Sequence, residues 1–309
     1  MWIKSISDNY LIICINKDLI YIYCFNQYFY IYLRKSCDMA KIVTFMNNKG
    51  GVGKTITTHS VGIAWAKLGK RVLFIDLDSQ ANLTAMLSKV DPTDEVVWER
   101  TLEDAFIEGP YVKDGLGLPI HHAEGYDNVD FVPSSLELAN FDQDTARADF
   151  REVLLLDILQ KVRDDYDYIL LDCPPAIQTL TTNALIAADY LVLVTDLSGK
   201  SVKGLEMIMG LYNKVVTNPR MNPNLKLLGV VVTRLERDKV NRGYLAVVTR
   251  NYGSYVVQPY IRKSTMVNRA LSVNESIYDM DPDGKVAGEY MAVSEELLMR
   301  IGSDFSAEV

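Results

Sequence analysis

The sequence predicts an α/β fold, doubly wound, with a mainly parallel sheet covered by helices on both faces. Three observations carry that expectation. Apolar runs of strand length recur at residues 41–46, 71–75, 166–172, 188–194 and 225–232, and they are continuous rather than alternating, as strands buried on both faces must be. Stretches with helical periodicity and short connections separate them, the pattern of right-handed parallel crossovers. Two of the runs lead into carboxylates, Asp76 and Asp172, at the strand ends where open α/β sheets bind ligands.

Residues 1–38 differ in composition from the rest, crowded with Tyr10, Tyr21, Tyr23, Tyr28, Tyr30 and Tyr32. Their longest uncharged run, residues 19–33, is 15 residues and holds Asn26 and Gln27. A membrane span needs about 20 apolar residues. A secretory h-region with a small-residue cleavage site is also missing. Met39-Ala40-Lys41 directly before the first long strand reads as a natural start. Residues 1–38 are therefore expected to be a non-native or disordered extension outside the chemistry, with a membrane-associating leader as the alternative, and 39–309 a single domain.

The strand at 41–46 runs into Asn47-Asn48-Lys49-Gly50-Gly51-Val52-Gly53-Lys54-Thr55, followed by a helical stripe of Val61, Ala64, Trp65 and Leu68 closed by Gly69. Glycines between a strand and a helix let backbone N–H groups turn inward around phosphate oxygens, and the helix adds its N-terminal dipole. In such a loop Lys54 reaches the β- and γ-phosphates and the Thr55 hydroxyl ligates Mg²⁺. The usual pattern G-x-x-x-x-G-K-[ST] fails at its first glycine, because Asn48 stands there; the loop reads K-G-G-x-G-K-T, with a second lysine, Lys49, at its opening.

The strand at 71–75 ends in Asp76-Leu77-Asp78-Ser79-Gln80-Ala81-Asn82, one strand after the phosphate loop. Residues 83–150 are less informative, with a helix at 101–107, a strand at 129–132 and Ser134-Ser135 as a cap; a helix follows at 150–162. The strand ending Leu170-Leu171-Asp172-Cys173-Pro174-Pro175 supplies an acid that can hold a Mg²⁺ shell, as a Walker B carboxylate does. Helices are expected at 201–216, 239–250 and 287–301, the last a docking helix with an acidic face of Glu289, Glu295 and Glu296. Of the four cysteines only Cys173 lies outside the first 38 residues, so no disulfide framework is expected, and Cys173 reads as a buried filler. His59, His121 and His122 lack metal-ligand spacing and read as surface residues.

Taken together, K-G-G-V-G-K-T, I-D-L-D-S-Q-A-N and I-L-L-D-C-P-P resemble the ParA/MinD family of deviant-Walker ATPases, and within it the small ParA-type, Soj-like partition ATPases, over residues 41–301. The resemblance implies a P-loop NTPase that uses ATP and Mg²⁺, in which two monomers sandwich two ATP molecules and Lys49 reaches the partner's nucleotide. It implies that Gly50, Gly51, Val52, Gly53, Lys54, Thr55 and Ile56 cradle the phosphates, with Thr233 and Pro259 as further nucleotide contacts. It assigns the attacking water to Asp78 and the metal shell to Thr55, Asp76 and Asp172. A lysine delivered in trans would act like an arginine finger on a slow hydrolysis that serves as a timer. Two departures stand out: Ile56 replaces a second threonine whose hydroxyl would meet the α-phosphate, and Asp78-Ser79-Gln80-Ala81-Asn82 stands where relatives read D-P-Q-G-N.

The net charge of −8 confines any nucleic-acid contact to a local patch. Between Arg234 and Arg269 eight basic residues face two acidic ones, a balance of +6 over 36 residues. Arg234, Arg237, Arg242, Arg262, Lys263 and Arg269 are therefore the candidates for binding DNA without sequence preference in the ATP state. The implied partners are a second copy in the ATP state, DNA and a ParB-like adaptor, in the cytoplasm on the nucleoid. Stable membrane association is not expected, because a MinD-like cell-division ATPase, the alternative, would carry a basic amphipathic C-terminal helix. A nucleotide-switched adaptor is a third reading. A lone Cys173 rules out an iron–sulfur reductase of the same lineage.

Overall fold

The computed structural model describes residues 39–89, 98–108, 117–146, 150–303 and 305 in full, and the backbone of four earlier strands. Those strands, β1 (Trp2–Ser7), β2 (Tyr10–Ile15), β3 (Asp18–Phe25) and β4 (Tyr28–Lys35), form an antiparallel sheet of their own in the order β1-β2-β3-β4.

The remaining elements alternate. In chain order they are β5 (Lys41–Met46), α1 (Lys54–Lys67), β6 (Val72–Asp76), α2 (Asn82–Ser88), α3 (Leu102–Glu108), β7 (His121–His122) and β8 (Val129–Val132). Then come α4 (Phe141–Asp144), α5 (Leu154–Gln160), β9 (Tyr168–Asp172), α6 (Thr179–Ala187), β10 (Tyr190–Thr195), α7 (Gly199–Thr217) and β11 (Lys226–Val232). The chain closes with α8 (Lys239–Tyr252), α9 (Thr265–Ser272), α10 (Ile277–Met280) and α11 (Lys285–Gly302). The second sheet runs β11-β10-β5-β9-β6-β8-β7, parallel except for β7, a short antiparallel edge strand that the sequence pattern did not announce. From β5 the chain crosses over β9 to β6, and from β9 it crosses back over β5 to β10. That reversal opens a crevice at the C-terminal ends of β5 and β9.

Strand side chains alternate between two cores. Ile42, Met46, Leu73, Ile75, Ile169 and Leu171 join the core under α3, α5, α6 and α7, while Val43, Phe45, Val72, Phe74 and Leu170 join the core under α1, α2 and α11. The sequence stripe on α1 is incomplete as a description: this helix is buried on nearly all sides from Ile56 to Ala66, because α11 covers the side away from the sheet. Leu68 lies past its end and is exposed. Trp65 is fully buried, rests on Tyr168 at 4.5 Å between ring centroids, and donates its indole N–H to the Ser294 carbonyl of α11 at 2.8 Å.

Three expectations are corrected. The helix expected at 150–162 begins at Leu154: Phe150 takes φ +57°, and Asn183 of α6 grips the entry, accepting from Leu155 N–H at 3.1 Å and donating to the Arg151 carbonyl at 2.8 Å. The acidic face of the last helix is partly taken up, since Glu289 binds Arg262 and Glu296 binds Arg300 of its own helix, while Glu295 is exposed. His59 is not a surface residue: it is buried in α1, stacked on Phe74 at 6.3 Å, and burial lowers its pKa to about 4. Among the described residues no helix is long and apolar enough to cross a membrane.

The close approach of α1 to the sheet depends on Gly62, where a Cβ would lie 2.1 Å from Phe74 Cζ. Gly62→Ala is expected to lower the unfolding free energy by about 1–3 kcal/mol, the scale of overpacking a tight core. Urea denaturation followed by tryptophan fluorescence checks this; an unchanged midpoint would show that the helix can retreat freely.

Candidate functional site

The loop after β5 is held before it is shaped. Asn47 is buried, donates its amide to the Val194 carbonyl at 2.7 Å and accepts from Lys49 N–H at 3.0 Å. Gly51 and Gly53 then take φ +74° and +91°, left-handed conformations that glycine alone adopts without strain, and Gly53 caps α1. Thr233, at the end of β11, donates its hydroxyl to the Val52 carbonyl at 2.6 Å. Thr233, expected as a nucleotide contact, lines the cleft and also braces the loop through this bond. Lys54 is buried beneath the loop with its Nζ on the Lys49 carbonyl at 3.3 Å; burial lowers its pKa, and the charges of Asp172 and Asp78 oppose that shift. Lys49 points elsewhere, to Asp196 Oδ2 at 2.7 Å and Ser198 Oγ at 3.1 Å.

Asp172 ends β9, paired in register with Phe45 of β5 on one side and Asp76 of β6 on the other. Both acids are buried. Desolvation, and next the Asp172 charge, raise the pKa of Asp76 to about 7; desolvation raises that of Asp172 to about 6, with Thr55, Lys54 and Thr58 pulling it back. Their bonding differs. Asp76 accepts from Thr84 N–H and Thr84 Oγ, both at 2.8 Å, and from Asp78 N–H at 3.1 Å. It is spent on anchoring α2 and the turn that carries Asp78. Asp172 accepts from Thr58 Oγ at 3.3 Å, and among the described residues its buried Oδ2 has no hydrogen-bond partner. An orphaned carboxylate oxygen beside Thr55 and Lys54 fits a cation, so Thr55 and Asp172 suit a Mg²⁺ shell, and Asp76 supports them from behind.

Two adjoining cavities form the cleft. One, of about 230 Å³, is lined by Gly50, Gly51, Gly53, Lys54, Thr55 and Ile56, with Asp78 and Pro175 at its wall. The other, of about 110 Å³, shares Gly53, Ile56 and Arg234 with it and continues to Thr233, Ile261 and Tyr290. Pro259 lines neither cavity and is exposed, whereas Ile261, two residues on, lines the smaller one. Ile261 and Tyr290 were missed because in sequence they are indistinguishable from core residues. Cys173 is inert as expected, with burial pushing its thiol up to about 12.

The basic set does not form one free patch. Arg262 donates to Glu289 at 2.6 Å, Lys263 donates to Glu236 at 2.9 Å, and Arg234 faces the cleft. Arg237, Arg242 and Arg269 are exposed.

The AAA domain family (AAA_31) matches residues 40–227. The sporulation initiation inhibitor protein Soj of Bacillus subtilis is 31% identical over 263 residues, covering 84% of this chain and 98% of Soj. The chain belongs to the ParA/MinD family of P-loop ATPases. The chromosome partitioning protein ParA of Caulobacter vibrioides is 29% identical over 271 residues, covering 86% of this chain and 96% of that one. Among solved structures, the cobyrinic acid a,c-diamide synthase of Mycobacterium smegmatis with bound ADP and magnesium aligns with a TM-score of 0.70 and 26% identity, over 86% of this chain and 97% of that one. The fold of this ParA/MinD-family chain thus agrees with that of its solved neighbours, while Asp196 as the partner of Lys49 and the bracing hydroxyl of Thr233 had no sequence signal.

The buried acids predict a pH dependence. Because each has a folded-state pKa above the ordinary 3.8, the stability it contributes is complete below that value and lost as the pH rises through about 6 to 7. Ligand-free protein is expected to unfold at lower urea at pH 8 than at pH 5. Asp172→Asn should stabilise it at pH 8 by about 1–3 kcal/mol and flatten that dependence; an identical pH profile in the variant would show that Asp172 is not the titrating group.

Proposed function

We propose that this chain is an ATP-dependent partition ATPase. It binds Mg·ATP above Lys54 and pairs with a second copy while the nucleotide is bound. In that state it holds DNA without sequence preference, and a ParB-like adaptor stimulates its slow hydrolysis to segregate a plasmid or chromosome in the cytoplasm. The observation that carries this reading is the direction of Lys49. A cation at the opening of a phosphate loop lines neither cavity of its own cleft and is held on Asp196 and Ser198 instead, at 2.7 and 3.1 Å. On this reading it serves another copy's phosphates. The name of the Caulobacter relative, a chromosome partitioning protein, points the same way.

Phosphoryl transfer is mainly positioning and charge stabilisation, and each residue here has such a part. The loop amides from Gly50 to Thr55 and the N-terminus of α1 favour anionic oxygens, and Lys54 sets a fixed positive charge beneath them. Bound magnesium supplies neutralisation of phosphate charge, and Thr55 with Asp172 would hold it. Asp78, on the wall of the larger cavity and turned by Gln80 N–H at 3.1 Å, orients a water. DNA contact falls to Arg237, Arg242 and Arg269, since Arg262 and Lys263 already have carboxylate partners.

Lys54→Ala is expected to abolish ATP binding in isothermal titration; retained binding would remove the site. Lys49→Ala should bind ATP as tightly as before yet remain monomeric in Mg·ATP by light scattering, whereas a dimeric variant would remove the trans role. Arg242→Ala should reduce the salt slope of DNA binding by about one unit in log–log form.

A further inference from the structure

Arg234 belongs to the basic run read as a DNA surface, but it lines both cavities of the nucleotide cleft, at the junction where Gly53 and Ile56 are also shared. Its φ is +54°, a left-handed conformation that arginine rarely takes. Its neighbours fix it there: Thr233 through its hydroxyl to Val52, and Leu235 through its N–H to the Ile261 carbonyl at 3.0 Å and its carbonyl from Lys263 N–H at 3.1 Å. Among the described residues no carboxylate pairs with Arg234, whereas Arg262 and Lys263 nearby are both paired. Ile56, at the same junction, offers an apolar side chain and no donor. An unpaired cation held in an uncommon backbone conformation beside a phosphate loop calls for an anionic ligand.

We propose that Arg234 binds the α-phosphate of the nucleotide and supplies the side-chain donor that Ile56 lacks. The inference rests on reading the cleft as the ATP site. The cavity at Gly51 and Lys54 suits the terminal phosphates and the cavity at Ile261 and Tyr290 suits a base, so the α-phosphate falls at the junction between them. A planar guanidinium can donate twice to such a phosphate.

The test is the affinity of the full chain for ATP and for ADP by isothermal titration, in wild type, Arg234→Gln, Arg234→Ala, Ile56→Thr and the Arg234→Ala/Ile56→Thr double variant, with Lys54→Ala as reference. Both Arg234 variants are expected to weaken ATP and ADP alike, by about tenfold or more, because both ligands carry the α-phosphate. Ile56→Thr should restore part of that loss in the double variant, which a purely structural role for Arg234 would not allow; urea midpoints of Arg234→Gln and Arg234→Ala confirm that they fold. Unchanged affinities with Lys54→Ala unable to bind would overturn this assignment alone, as would loss of ATP affinity with ADP affinity intact, which places Arg234 on the terminal phosphate. Unchanged nucleotide affinity with a reduced DNA salt slope returns Arg234 to the DNA surface. Nucleotide binding by Lys54→Ala would instead remove the reading of the cleft on which the proposal stands.

Discussion

A buried ammonium beside a buried carboxylate, which is itself in register with a second buried acid, is the constraint around which the domain is arranged. Lys54, Asp76 and Asp172 are brought together because β5, β9 and β6 lie side by side in parallel, so that their C-terminal ends deliver loop and acids to one edge. Burying any one of these charges alone would be costly. Together they remain one positive charge short when both acids are ionised, and desolvation drives the carboxyls toward neutrality and the lysine away from its cation. A divalent cation and an anionic ligand resolve that imbalance together, which is why this cluster reads as a binding site rather than a structural ion pair.

The two acids divide the labour by their hydrogen bonds. Asp76 has three donors from Thr84 and Asp78, so its charge state is tied to the backbone of the turn between β6 and α2. That turn carries Asp78 and passes through Ala81 at φ +53°, a strained conformation for alanine that is held by its surroundings. Any change of charge in the cleft therefore reaches the turn through Asp76. Asp172 has no such tie on its inner oxygen and answers to the ligand directly.

Much of this was legible in sequence, and what was not has physical reasons. The strand cores, the glycine loop and Asp172 announce themselves because a two-sided buried strand, a left-handed turn and a strand-end acid each demand a narrow set of residues. The brace that Thr233 makes on Val52, and the places of Arg234 and Tyr290 beside the cleft, did not, since they come from which strand end and helix lie beside the loop, a matter of sheet order rather than of local pattern. Counting charges mistook Arg262 and Lys263 for free cations because their partners, Glu289 and Glu236, lie 27 positions away in sequence. Periodicity likewise missed that α1 is covered twice, since a helix between a sheet and another helix needs no polar face.

The tether on Lys49 then has a consequence for how the molecule changes state. Asp196, which holds Lys49, also accepts from the hydroxyls of Ser198 and Ser201, and Ser198 caps α7. Its own pKa is lowered by those bonds against the pull of burial, so it stays ionised and keeps a firm grip. On the proposed reading, Lys49 leaves this carboxylate only for another anion of equal or greater charge, and a triphosphate bound to a second copy is one. The exchange replaces one ion pair by another and so costs little in total. When Lys49 departs, Asp196 and the serines that cap α7 lose their cation, and the first turn of that helix, with Lys203 and Met207 exposed along it, must reorganise. The phosphate loop and α7 are thus in direct contact, with Lys49 on Asp196 and Ser198, Asn47 on the Ser201 carbonyl and Asn48 on Met207 Sδ, so a change in the loop is passed to that helix.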